Sequence, residues 1–168
     1  PEVVSITYPR ETTSSASGEV IDELEIGKSV NFRAFLRNSG DEDLTNMQYR
    51  VSIYTDEDGT RGNIAKDSNG YDLVWENHKA VCIQSCQETS VAPGDFVGGG
   101  ELTLLTPNGN IIEWIPSELG RFHVIISVSS IVLGDPSNDE LSVLVTVVDS
   151  TGLIAAISIT CTPSSINI

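Results

Sequence analysis

The chain has 168 residues, 39% of them hydrophobic, with 24 acidic against 9 basic side chains and a formal net charge of −15. That length suits one domain with a real core. So acidic a surface repels nucleic acid and anionic membrane, and its charge serves solubility, a divalent cation or a salty medium. No apolar run approaches the roughly 20 residues needed to cross a bilayer, which excludes membrane insertion by a helix.

Pro1 runs directly into strand-like sequence, so the chain is expected to be a processed product or a piece of something longer. Residues 1–9 alternate Val4, Ile6 and Tyr8 against Val3, Ser5 and Thr7 and stop at Pro9, as a strand does. Residues 11–18 read as a polar loop, and Glu19 to Ile26 as an acidic strand whose Leu24 and Ile26 reach the core. The clearest strand follows in IGKSVNFRAFLRNSG, residues 26–40. It lays Val30, Phe32, Ala34 and Leu36 on one face, with only Phe35 out of pattern, and Asn38-Ser39-Gly40 ends it in a turn. Met47, Tyr49, Val51 and Ile53 then alternate with Gln48, Arg50 and Ser52, and this strand is expected to pair with the preceding one across the acidic turn.

Residues 56–70 read as a long loop, Tyr71 to Glu76 as a short strand, and Asn77 to Gly100 as irregular chain. Glu101–Thr106 and Ile111–Ile115 flank Pro107-Asn108-Gly109-Asn110, where Asn-Gly predicts a type I′ hairpin. Phe122, Val124, Ile126 and Val128 then face one way and His123, Ser127 and Ser129 the other, before GDPSND at 134–139 leads to Leu141, Val143, Val145 and Val147. Gly and Pro punctuation at these intervals, without a helical period, predicts an all-β fold.

Three cysteines leave three states open. Cys82 and Cys86, four apart in CIQSC, close a small disulfide loop if the chain turns there, which implies an oxidising compartment. They otherwise stay as thiols, or join His78 and Cys161 around zinc. Enzyme chemistry has little to work with. His123 reads as a strand-surface residue, His78 has no hydrolase context, and Gly98-Gly99-Gly100 has no following Lys-Ser/Thr to make a phosphate loop. Trp75 and Trp114 either belong to the core or, exposed on one flat face, stack on sugars, the basis of an alternative reading as a carbohydrate-binding module.

Three stretches together resemble the CARDB-type (cell-adhesion-related) immunoglobulin-like modules of archaeal and bacterial surface proteins: residues 26–46, GRFHVIISVS at 120–129, and PSNDELSVLVTVVD at 136–149. The resemblance implies an immunoglobulin-like antiparallel β-sandwich over residues 1–149, with a long insertion at about 56–100, at a cell surface and without enzymatic chemistry. In such a sandwich the 38–44 and 134–139 turns lie at one end. There Asp41, Asp43, Asp135 and Asp139, with Asn138, could offer oxygens to Ca²⁺, against the plainer reading that acids and amides suit turns. A second acidic group, Asp56, Asp58, Asp67, Asn69 and Asp72, lies in the long loop at the other end. No cofactor is required by any of this.

Residues 150–168 add one more apolar alternation, Leu153, Ala155, Ile157 and Ile159, outside the finished sandwich. Such a strand needs a partner. Val4-Ser5-Ile6-Thr7 resembles Ile157-Ser158-Ile159-Thr160, so the tail is expected to open a following module of a tandem array, to be donated to a neighbouring copy as in filaments, or to pair within its own domain. The expected function is a non-enzymatic extracellular or cell-surface structural or adhesion module, partnered by other copies or adjacent modules.

Overall fold

The structure is a computed structural model, described over residues 1–14, 20–45, 47–77, 82–83, 87–88, 90–130 and 138–149. The strands are β1 (Glu2–Tyr8), β2 (Thr13–Ser14), β3 (Val20–Ile21), β4 (Leu24–Glu25), β5 (Arg33–Arg37), β6 (Met47–Glu57) and β7 (Thr60–Ile64). They continue with β8 (Val74–Asn77), β9 (Cys82–Ile83), β10 (Gln87–Glu88), β11 (Phe96–Thr103), β12 (Gly120–Ser130) and β13 (Asn138–Val148). No helix occurs among the described residues. Two sheets form the body, one ordered β1-β5-β11 and the other β4-β13-β12-β6-β7, with β8 also on β6. Short ribbons β2-β3 and β9-β10 stand apart. This is an all-β, immunoglobulin-like sandwich, antiparallel except where β4 runs parallel to the end of β13.

The alternation read from the sequence builds the core. Val30, Phe32, Ala34 and Leu36 are buried, and they face Val51, Ile53, Val124, Ile126, Val145 and Val147 from the other sheet. Burying side chains of this size contributes about 1.5–3 kcal/mol each. Phe35, the residue out of pattern, lies on the outer face of the small sheet and packs edge-on against Phe96, with ring centroids 5.5 Å apart.

Three expectations fail. The strands β5 and β6 do not pair: β5 lies between β1 and β11, and β6 between β12 and the β7/β8 edge. The turn between them carries the chain from one layer to the other. Alternation gives each strand one greasy face, and two such faces meet across a core as well as they meet side by side. Nor are residues 56–70 a loop. Asp58 (φ 53°) and Gly59 (φ 87°) both take left-handed conformations, as a type I′ turn requires, so β6 returns directly as β7. The expected I′ turn at Asn108-Gly109 takes another form. Only Gly109 is left-handed (φ 84°), with its N–H on the Thr106 carbonyl at 2.9 Å. Residues 67–71 repeat that geometry around Gly70 (φ 86°).

The strand registers fix the direction of the chain through the sandwich. Glu2 pairs with Arg37, Met47 with Ser130 and Asn138 with Ser129, so β1 and β13 both start at the end holding the 38–45 turn. Tyr8 pairs with Arg33 and Val147 with Gly120, so both finish at the other end. The first strand enters at one pole and β13 leaves at the opposite one.

Candidate functional site

At the entry pole the organising residue is Asn38, only 2% exposed. Its Nδ2 donates to the carbonyls of Glu42 (2.7 Å) and Val91 (2.8 Å), and its Oδ1 accepts the Gly40 N–H at 3.0 Å. Its own backbone closes the same knot, with N–H to the Asp95 carbonyl and C=O from Gly94 N–H. The asparagine that ends the sequence's clearest strand therefore ties the crossover turn to residues 91–95. Asp41 and Asp43 are exposed on that turn. Asp139 is already engaged: its Oδ2 accepts the Val3 N–H at 2.6 Å. Asp135 lies outside the described residues. Among the described residues no three His, Cys, Asp or Glu side chains converge closely enough to hold a metal ion. The Cys82–Cys86 pairing, His78, Cys161 and the tail residues Leu153, Ala155, Ile157 and Ile159 also fall outside what is described.

The outer face of the large sheet carries a second polar group. His123 projects away from the core, as its alternation predicts, yet its side chain is only 13% exposed and its Nε2 lies 2.7 Å from Asp56 Oδ1. Burial is the largest influence on Asp56 and raises its pKa. The hydrogen bond to His123, the Gly59 N–H and the charges of Arg121 and His123 together outweigh it, holding the carboxyl below the ordinary range. What covers this face is the β6–β7 hairpin. Arg61 stacks over Tyr54, 5.1 Å from the ring centroid, and pairs with Glu140 of β13 at 3.0 Å. In a flat sheet those two residues would stand more than roughly 20 Å apart at ordinary strand and residue spacings. The hairpin therefore curls over the sheet, and Ile125 beneath it is 2% exposed despite pointing outward. Gly62 permits the curl, since a Cβ there would lie 2.5 Å from Thr55 Oγ1. Beside the hairpin, His123 and Arg121 both contact the Asp56 carboxylate, at 2.7 and 3.6 Å, as a histidine–carboxylate–guanidinium group.

A cleft of about 600 Å³ opens at the exit pole. Ile26, Leu73, Trp75 and Trp114 form its apolar wall, and Asp67, Asn69, Glu113 and Ser117 part of its rim. Trp114 is core, 2% exposed, with its ring edge-on to Phe122 at 5.6 Å. Trp75 is half-buried against Phe32. The flat two-tryptophan face that the sequence left open does not form, and the two indoles instead share the wall of a cleft. The exit of β13 is adjacent, because Ile26 N–H donates to the Val148 carbonyl at 2.8 Å.

No family model and no curated protein matches the sequence. Among solved structures there is a likeness. The chain is similar to a CARDB domain. That CARDB domain, from a Pyrococcus furiosus protein and in complex with di-metal ions, is 17% identical over 74% of this chain and 78% of its own, with a TM-score of 0.40. The sandwich itself is established by the sheets described above.

Proposed function

We propose that the chain is a non-enzymatic structural module of a cell-surface protein, joined to its neighbours end to end. The observation that supports this most is the lengthwise threading: β1 enters at the pole of the 38–45 turn and β13 leaves at the opposite pole. A module threaded this way adds its full length to an array, whereas one with both connections at a single pole folds back on its neighbour. The buried groups agree with a structural role. Asn38 and the Tyr49–Asn77–Leu105 network spend their hydrogen bonds on backbone and on each other.

The test joins two copies head to tail through their own sequence and measures the maximum dimension by small-angle X-ray scattering. The longest strands have 11 residues, or roughly 36 Å at the usual rise. Two modules in line should therefore span roughly 80 Å including their turns, and a side-by-side pair roughly 50 Å. The shorter value would refute the reading. Surface labelling of intact cells with an antibody to the folded module tests the location, and a purely internal signal would count against it.

A further inference from the structure

From the cleft at the exit pole we infer a binding site for a neutral oligosaccharide, with Tyr71 as its stacking lip and Trp75 in its wall. Tyr71 is the most exposed large hydrophobic side chain among the described residues, at 72%. Leaving an aromatic ring in water gives the fold nothing, and the sequence invests heavily in holding it there. Asp67 Oδ1 accepts the N–H groups of both Asn69 (2.8 Å) and Tyr71 (2.9 Å). Asp67 N–H donates to the Tyr71 carbonyl at 2.9 Å, and Lys66 pairs with Asp72 at 2.7 Å across the base of the turn. The ring is thus presented on a stiff hairpin whose other residues, Asp67 to Asn69, form one lip of the cleft.

The chemistry of the lining selects the ligand. A sugar ring offers apolar C–H faces and equatorial hydroxyls that both donate and accept. An aromatic wall with carboxylate, amide and hydroxyl groups on its rim matches both demands. Asp67 and Glu113 are the only charged residues among those lining the cleft, and the chain carries −15 overall, so uronates and sulfated glycans are repelled. The volume lies within the usual range for small-molecule sites. This proposal is independent of the end-to-end reading, and scattering from the joined pair does not bear on it.

The test is a ¹H–¹⁵N NMR titration of the intact chain with gluco-, manno-, xylo- and N-acetylglucosamine tetrasaccharides, beside a tetragalacturonate. At least one neutral sugar should shift the amides of Asn69, Tyr71, Glu113 and Ser117 and the Trp75 indole N–H. Tyr71→Ala should weaken that binding about tenfold, the loss expected for one stacking ring, without lowering the melting temperature. Glu113→Gln, also at an exposed position, should weaken it less. The proposal is overturned if no neutral sugar moves these amides at millimolar concentration, if Tyr71→Ala binds as well as wild type, or if the tetragalacturonate binds more tightly. It is equally overturned if the same amides are protected in the joined two-copy chain without sugar, which would make this face an inter-module contact.

Discussion

Replacing Asn38 tests how the crossover turn is held. In Asn38→Ala two carbonyls and one N–H lose their partner. Glu42 and Gly40 are exposed, so water replaces much of what their groups lose, and each costs about 0.5–1 kcal/mol as a net hydrogen bond. The bond to the Val91 carbonyl is buried, and an unsatisfied buried carbonyl costs about 1–3 kcal/mol. The sum is about 3 kcal/mol, which lowers the melting temperature of a chain this size by about 6–12 °C. Asn38→Asp is the sharper probe, being nearly isosteric. It exchanges a double donor for a carboxylate aimed at two carbonyl oxygens in a site that excludes water. It should be less stable than Asn38→Ala at neutral pH, and it should recover relative to wild type as the solution is acidified and the carboxyl takes a proton. Urea titrations of all three proteins between pH 4 and 8 provide the measurement. An Asn38→Asp protein as stable as wild type at pH 7, or one whose deficit does not shrink on acidification, would refute the hydrogen-bond assignment.

Asp56 has its carboxyl held below the ordinary range in the folded state. Its stabilising contribution is therefore fully present above the unfolded carboxylate pKa, near about 3.9, and is lost as pH falls through the lower folded value. Asp56→Asn should show a deficit against wild type that shrinks as the pH falls into strong acid, and denaturation at a series of pH values checks this. Gly62→Ala should destabilise by about 1–3 kcal/mol through overpacking, because the new Cβ meets Thr55 Oγ1 and Glu57. Gly100→Ala, with nothing within 4 Å, is the control, and equal melting curves would show that the hairpin does not curl as described. Tyr49→Phe removes a hydroxyl that donates to the Leu105 carbonyl at 2.5 Å and accepts from the Leu105 N–H and Asn77. It should cost about 2–3 kcal/mol by chemical denaturation, and a double-mutant cycle with Asn77→Ala should show coupling rather than additivity. Calcium and magnesium at equal ionic strength should shift the melting temperature alike. A calcium-specific rise would show that Asp41 and Asp43 gain further ligands.

What the sequence made legible is one-dimensional. Period-two alternation assigned Val30, Phe32, Ala34 and Leu36 to the core and His123 to the outer face, and both assignments hold. It could not assign neighbours, which is why β5 and β6 were expected side by side and instead face each other. The polar hairpin strand β7, TRGNI, was hidden because it has almost no apolar content. The signal that finds it is Asp58-Gly59, a dipeptide whose left-handed tolerance marks a tight return. The partners of His123 and Asn38 lie 67 and 53 residues away in sequence, at distances no local pattern reports. The cleft escaped for the same reason, since its two tryptophans come from segments placed by separate long-range pairings, Val30 with Trp114 and Val51 with Trp75.

The proposed end-to-end reading makes a demand on the sheet edges, which should discourage lateral contacts. A free edge invites lateral strand addition, yet the outer edge of β13 is occupied along much of its length. Asp139 takes the Val3 N–H, Thr12 bonds to Leu144 and Thr146, and β4 pairs with Val147 and Val148. The edge of β11 is interrupted instead. Phe96 and Glu101 oppose Arg37 and Phe35, so several extra residues bulge out, with Gly98 (φ 72°) and Gly99 (φ 73°) left-handed. A bulge of that size breaks the even ladder that an incoming strand needs. At the exit pole the pattern is reversed. Ile115 remains exposed there, on the wall of the cleft. With the β13 edge occupied and the β11 edge bulged, neither offers an even ladder for lateral strand addition, which is what the proposed end-to-end reading requires of the flanks.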